Sequence, residues 1–214
     1  MRTFMLTAMI LALGACTPLS ANHPLFAVAD QTGPAPLTEG VWVAINSRCT
    51  RELAATTPLP DDCEPVRLHR NGDGSWQLSA AKIENGVEQR DEMRLIIVPA
   101  VATANAEAYA PLYLVEVSAR EADEHSSAPA DARVYGAFAP IGGLPAREAF
   151  FVDVECDAVL REGPLDGVVS VRDANGGLTS CTAENKGAVR EAVRRAVIEE
   201  LSNVDEARIV FVRP

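Results

Sequence analysis

Aromatic residues, basic charge, histidine and long apolar runs are all scarce in this chain, and each shortage narrows what it can do. Lys and Arg number 19 against 30 Asp and Glu, a formal net charge of −11. Nucleic-acid binding needs a basic footprint, so that class of partner is excluded. The same balance works against charge-driven adhesion to anionic lipid and favours solubility through self-repulsion. Three histidines occur, His23, His69 and His125; none lies beside a cysteine, and Cys-x-x-Cys is absent. A structural zinc site therefore lacks its usual ligand spacing. Gly-x-Ser-x-Gly and His-Glu-x-x-His are missing too, which removes the nucleophile elbow and the zincin helix. The expectation is a non-enzymatic protein with no catalytic residue, no metal and no cofactor. The longest apolar stretch, Phe4–Leu13, falls well short of the roughly 20 residues that a membrane-spanning helix needs.

That stretch nevertheless carries the strongest signal in the chain. A basic start at Arg2 leads into Phe4–Leu13 and then into Leu13-Gly14-Ala15-Cys16. A positive beginning, a short apolar centre and small residues before a cut describe a removed signal segment. With a cysteine directly after Gly14-Ala15, it resembles the signal peptide and lipobox of a bacterial lipoprotein. The resemblance implies removal of residues 1–15, diacylglycerol on the Cys16 sulfur and acylation of its new amino terminus. It implies a cell-envelope address with the membrane as partner through lipid on Cys16. By the retention rule of such lipoproteins, Thr17 after the cysteine favours the periplasmic face of the outer membrane over the inner membrane. One acyl chain holds a protein only marginally and two hold it stably, each buried CH₂ contributing about 0.8 kcal/mol.

The other cysteines agree with export. Cys49, Cys63, Cys156 and Cys181 remain, an even number suited to an oxidising compartment. Four cysteines allow three connectivities. Cys49–Cys63 with Cys156–Cys181 is favoured because each pair brackets a loop-rich segment between expected strands.

Thr17–Thr38 holds four prolines and many small residues and reads as a flexible tether from residue 16 to 38. A single β-rich domain is expected over 39–214. Its strands are expected at Val41–Asn46, Val66–His69, Trp76–Ile83, Met93–Val98, Leu112–Ala119, Val134–Ala139, Ala149–Asp157 and Gly167–Arg172. Asn71-Gly72-Asp73-Gly74 and Asp173–Gly177 are turn signals, because Asn and Gly tolerate positive φ. Ala100–Pro111 and Arg120–Asp131 fit neither period and read as surface loops. In Lys186–Ser202, Val189, Ala192, Val193, Ala196, Val197 and Leu201 form one apolar stripe at helical spacing. Asn185 is placed to cap its start and Asn203 its end, and Glu191–Arg195 has the favourable i, i+4 order. A final strand, Ala207–Val212, follows. The expected fold is mainly β: an antiparallel meander of about eight short strands, closed or half-open as a barrel, with a C-terminal helix and a last strand.

Candidate sites are few. Alternation over Phe150–Asp157 puts Asp153, Glu155 and Asp157 on one face, and a solvated acidic face is the expectation over a calcium site. Asn71, Asp73 and Ser75 imitate the start of a calcium loop, but Trp76 and Lys82 stand where Gly and Glu belong, so a hairpin is expected. Only His69 is placed to join a site. Gly40-Val41-Trp42 before the first strand of the meander, with a helix and strand near the end, resembles the lipocalin plan. That resemblance implies an apolar ligand enclosed by the barrel and an arginine packed on Trp42, carried over to Arg172 or, second, Arg213. Val43 replaces the family's usual aromatic and Thr-Asp-Tyr is missing. Aromatics make up just 5% of the chain, thin for a ligand-lined cup. The expected function is a membrane-anchored envelope lipoprotein that binds or scaffolds a partner. A lipocalin-like carrier of an apolar ligand is the alternative, and an unrecognised envelope enzyme a further one.

Overall fold

A computed structural model describes residues 17–46, 48–84, 87–100, 111–119, 129–200 and 208–212. Residues 1–15, the expected leader, lie outside them together with Cys16, Leu201–Asn203 and Arg213, as does most of the two expected loops (101–110 and 120–128).

Eleven strands hydrogen-bond into one sheet. They are β1 (Leu19–Ala21), β2 (Gly40–Ile45), β3 (Pro65–Arg70), β4 (Trp76–Glu84), β5 (Val87–Pro99), β6 (Tyr113–Ser118), β7 (Arg133–Ile141), β8 (Glu148–Asp153), β9 (Val168–Arg172), β10 (Leu178–Ala183) and β11 (Arg208–Val212). From β2 to β8, omitting nothing, each strand pairs antiparallel with the next; β8 then pairs with β11 and β11 with β2. The expected meander is present and its ladders run round eight strands. At one place the wall forks. β7 holds β8 along Gly136–Ile141, but at Arg133 and Val134 it holds β1 instead. β1 runs parallel to β10, and β10 antiparallel to β9, so a three-strand wing leaves the barrel there and makes it half-open.

The wing corrects the tether reading. Prolines 18, 24, 34 and 36 punctuate residues 17–38, yet this segment is folded into the body. Leu19 and Ala21 alternate inward on β1, and Phe26 and Leu37 are also buried. Burying those side chains outweighs the flexibility that the composition suggests. A second correction falls on Ala149–Asp157. The strand ends at Asp153, and Cys156–Leu160 turns into a short helix, α2, following the single helical turn α1 (Arg51–Ala54) earlier in the chain. The cause is tertiary: Cys156 is bonded to Cys181 on β10, and its N–H donates to Thr17 O at 2.8 Å. β5 also begins earlier than Met93, because its polar first half Val87–Glu92 pairs with β4 without any apolar signal.

Strand alternation gives β6, β7 and β8 two apolar faces. The barrel interior takes Tyr113, Val115 and Val117 of β6 and Phe138 of β7, against Trp42, Trp76, Leu95 and Ile97. The opposite face takes Leu114, Tyr135, Ala137, Phe150 and Val152, and is covered by the helix α3 (Lys186–Glu200) and the inner side of β1 and β10. The α3 stripe Val189, Ala192, Val193, Ala196 and Val197 is buried as its spacing implies. Asn185 caps it, Oδ1 accepting Ala188 N at 2.9 Å, and Glu191 pairs with both Arg194 and Arg195. Gly167, at φ 73°, lets the chain pass this cap, since a Cβ there would meet Asn185 Nδ2 at 2.6 Å. A third small cluster joins Val43, Ala54 and the Cys49–Cys63 disulfide. Both expected disulfides are thus present. Their loops, 14 and 25 residues in separation, correspond to about 3 and 3.5 kcal/mol by chain-entropy reasoning.

Candidate functional site

The first described residue is Thr17, directly after Cys16 in the sequence, and it is fastened to the body. Thr17 O accepts the Cys156 N–H, Pro18 bridges to Glu155, and Leu19 N donates to Val154 O at 2.8 Å. Cys156 and Cys181 then tie this junction to β10 through their disulfide. Ser20 Oγ donates to Cys181 O at 3.0 Å on the face turned away from the core.

Beyond β1 the same segment is clamped a second time. Glu116 is the lone acid in the otherwise apolar run Tyr113–Val117 and is 2% exposed. Its Oε2 accepts Leu25 N at 2.9 Å, Phe26 N at 3.1 Å and the Tyr135 hydroxyl at 3.0 Å. Arg133 stands 4.0 Å from the other oxygen. A buried carboxylate surrounded by donors in this way makes charge-assisted bonds, stronger than those between neutral groups. Burial, reinforced by the neighbouring Glu116 carboxylate, pushes the Tyr135 hydroxyl far above its ordinary range, so it remains a donor. Phe26 lies edge-on to Tyr135 and beneath Lys186 and Arg190 of α3. Lys186 reaches both oxygens of Asp30 at 2.7 Å, holding that carboxyl below its usual range. Residues 25–30 therefore bridge β6, β7 and α3. The arrangement is a clamp in which the carboxylates of Glu116 and Asp30 each accept from several donors, while Arg190 Nε is buried without a hydrogen-bond partner. Glu116 is not among the expected site residues. Its signal was a single acid between valines, in a strand otherwise apolar on both faces.

The acidic trio does not form one solvated face. Asp153 follows Phe151 and Ala149 on the interior side of β8, half-buried at the forked end of the barrel. Desolvation there, helped by the Glu155 carboxylate, raises its carboxyl to about 6. Glu155 precedes α2 and Asp157 lies exposed in its first turn, so the strand's alternation no longer relates the three. Among the described residues no group of three metal-ligating side chains stands together.

The Asn71–Gly74 segment is the hairpin that its sequence implies. Asp73 Oδ1 accepts the N–H and hydroxyl of Ser75, and Oδ2 accepts from Arg94 at 2.7 Å. His69 bonds Glu39 at 2.7 Å on the exposed end of β3 and joins no cluster. Asp173 likewise organises its turn, accepting the N–H groups of Asn175 and Gly177.

The arginine carried over from the lipocalin plan is misplaced. Arg172 lies exposed on β9, outside the ring of eight strands, and donates to Gly176 O at 2.9 Å. Arg213, the second choice, lies outside the described residues. Trp42 is buried in the barrel and donates its indole N–H to Thr38 O at 2.9 Å. Among the described residues, Arg70 lies over Trp76, at 5.9 Å from the ring centre. Beside Trp76 and Tyr113, under residues 31–36, a small recess has room for a single water. Compared with protein-family models, curated proteins and solved structures, the chain matches none.

Proposed function

We propose that this protein is a lipid-anchored lipoprotein of the bacterial cell envelope whose body binds or scaffolds another envelope component. One observation carries the reading. Four of the five cysteines are consumed as Cys49–Cys63 and Cys156–Cys181, and the fifth is Cys16, directly after Leu13-Gly14-Ala15. Paired disulfides suit an oxidising compartment, and the remaining thiol stands where a lipobox needs it. The acidic surface leaves attachment to lipid rather than to charge. Cys16→Ser, expressed in a bacterium that processes lipoproteins, is expected to move the protein from the membrane to the soluble fraction. Unchanged membrane fractionation would reject the anchor.

A second reading, a carrier of an apolar ligand, draws on the ring of eight antiparallel strands. Against it stand Trp42, Trp76 and Phe138, each fully buried inside that ring. Saturable binding of an apolar fluorescent probe by the Cys16→Ser protein would favour the carrier, and its absence would dismiss it.

A further inference from the structure

We infer that the outer face of the β1–β10–β9 wing rests on the membrane that holds Cys16, with Val169 and Val171 of β9 against lipid. This rests on the anchor proposed above and adds an orientation to it. The chain has no slack between anchor and fold. Leu19 is fully buried, Thr17 and Leu19 are hydrogen-bonded to the Val154–Cys156 segment, and a disulfide backs that segment. One peptide unit separates Thr17 from Cys16, so their Cα atoms are about 3.8 Å apart. A lipid on Cys16 therefore brings β1 itself to the bilayer surface.

Register says which part of the body lies beside it. Leu19 is level with Cys181 on β10 and, across β10, with Ser170 on β9. Travelling from Leu19 back toward Thr17 is travelling along β9 toward Val171, Arg172 and the turn after it. β9 lies about 10 Å from β1, two strand spacings away. Val169 and Val171 are 52% and 53% exposed, whereas Val168 between turn and strand packs on the core. The two valines share their face with Thr182 and Ser180 of β10 and, through Thr182, with Ser20 of β1. None of these five residues is charged. Past β9 no further strand is paired among the described residues. An uncharged strip with an apolar rim, lying between the exposed Asp173 and Glu184 and joined through β1 to the residue that would carry lipid, fits a bilayer surface that would repel the rest of an acidic protein.

The test uses the full lipidated chain in vesicles of phosphatidylcholine with nitroxide-bearing acyl chains. Val171→Trp is compared with Gly72→Trp, a turn on the opposite side of the ring where an added side chain meets open space. Quenching and a blue shift are expected for Val171→Trp over the parent's signal, and neither for Gly72→Trp. Inserting a Gly-Ser spacer of about 12 residues between Cys16 and Thr17 should abolish the difference, because such a linker wanders freely. Membrane-bound, lipidated protein with unquenched Val171→Trp overturns the orientation alone; a mass lacking lipid on Cys16 overturns anchor and orientation together. A concentration-dependent dimer of the Cys16→Ser protein, broken by Val171→Lys, would assign the strand to a second copy and also overturn the proposal.

Discussion

The barrel interior and the helix-covered face are built from the same three strands, β6, β7 and β8, yet they solve burial differently. The interior is aromatic: Trp42, Trp76, Tyr113 and Phe138 meet there, with Tyr113 and Phe138 stacked at 5.4 Å. The covered face holds Phe26, Tyr135 and Phe150 but is otherwise small and aliphatic, with α3 contributing alanines and valines against Val152, Val154 and Val159. Large rings fill the interior of the half-open barrel, whereas small side chains let a helix approach a sheet. The covered face also admits a buried charge, Glu116, because a strap of backbone N–H groups comes down on it. The interior carries its acid, Asp153, at the forked end, where burial is incomplete and no clamp forms.

Two substitutions test this contrast, the larger effect first. Glu116→Ala removes the acceptor for Leu25 N, Phe26 N and the Tyr135 hydroxyl, leaving three donors facing a cavity. Urea unfolding of the Cys16→Ser body is expected to show a loss of about 3–5 kcal/mol. A loss under about 1 kcal/mol would place the strap's energy elsewhere.

Asp153→Asn acts in the opposite direction. A carboxyl held at about 6 when folded, against about 3.9 unfolded, binds its proton more tightly in the folded state. The resulting penalty is fully present above the folded value and disappears as pH falls below the unfolded one. Asp153→Asn is therefore expected to stabilise the protein by up to about 3 kcal/mol near pH 7.5 and to give no gain near pH 4. Equal effects at both pH values would show that its carboxyl is solvated.

Several elements were legible because their signals are local. The α3 stripe repeats at helical spacing, Asn185 sits one residue before Lys186, and Asn71–Gly74 carries its turn in its own residues. The disulfide partners followed from spacing between strands. What the sequence hid was non-local. β1 is three residues long and surrounded by prolines, so nothing nearby marks it; its partners lie more than 100 residues away on β7 and β10. The break after Asp153 was hidden for the same reason, since alternation persists through Cys156 while the chain turns to meet Thr17 and Cys181. Glu116 has no local signal beyond standing between two valines, because the donors it meets, Leu25 and Phe26, lie about 90 residues away.

By itself the sequence determined a short apolar run ahead of Cys16, an acidic balance, four pairable cysteines, a run of antiparallel strands and one amphipathic helix. Each is a property of composition or of a pattern shorter than about twenty residues. Tertiary structure alone decided that the segment after Cys16 is part of the fold. It also decided that β7 is shared between barrel and wing, and that Val169 and Val171 stay uncovered. Those outcomes depend on which distant strands compete for one edge, and hydrogen-bonding edges are satisfied by whatever chain the whole fold brings there.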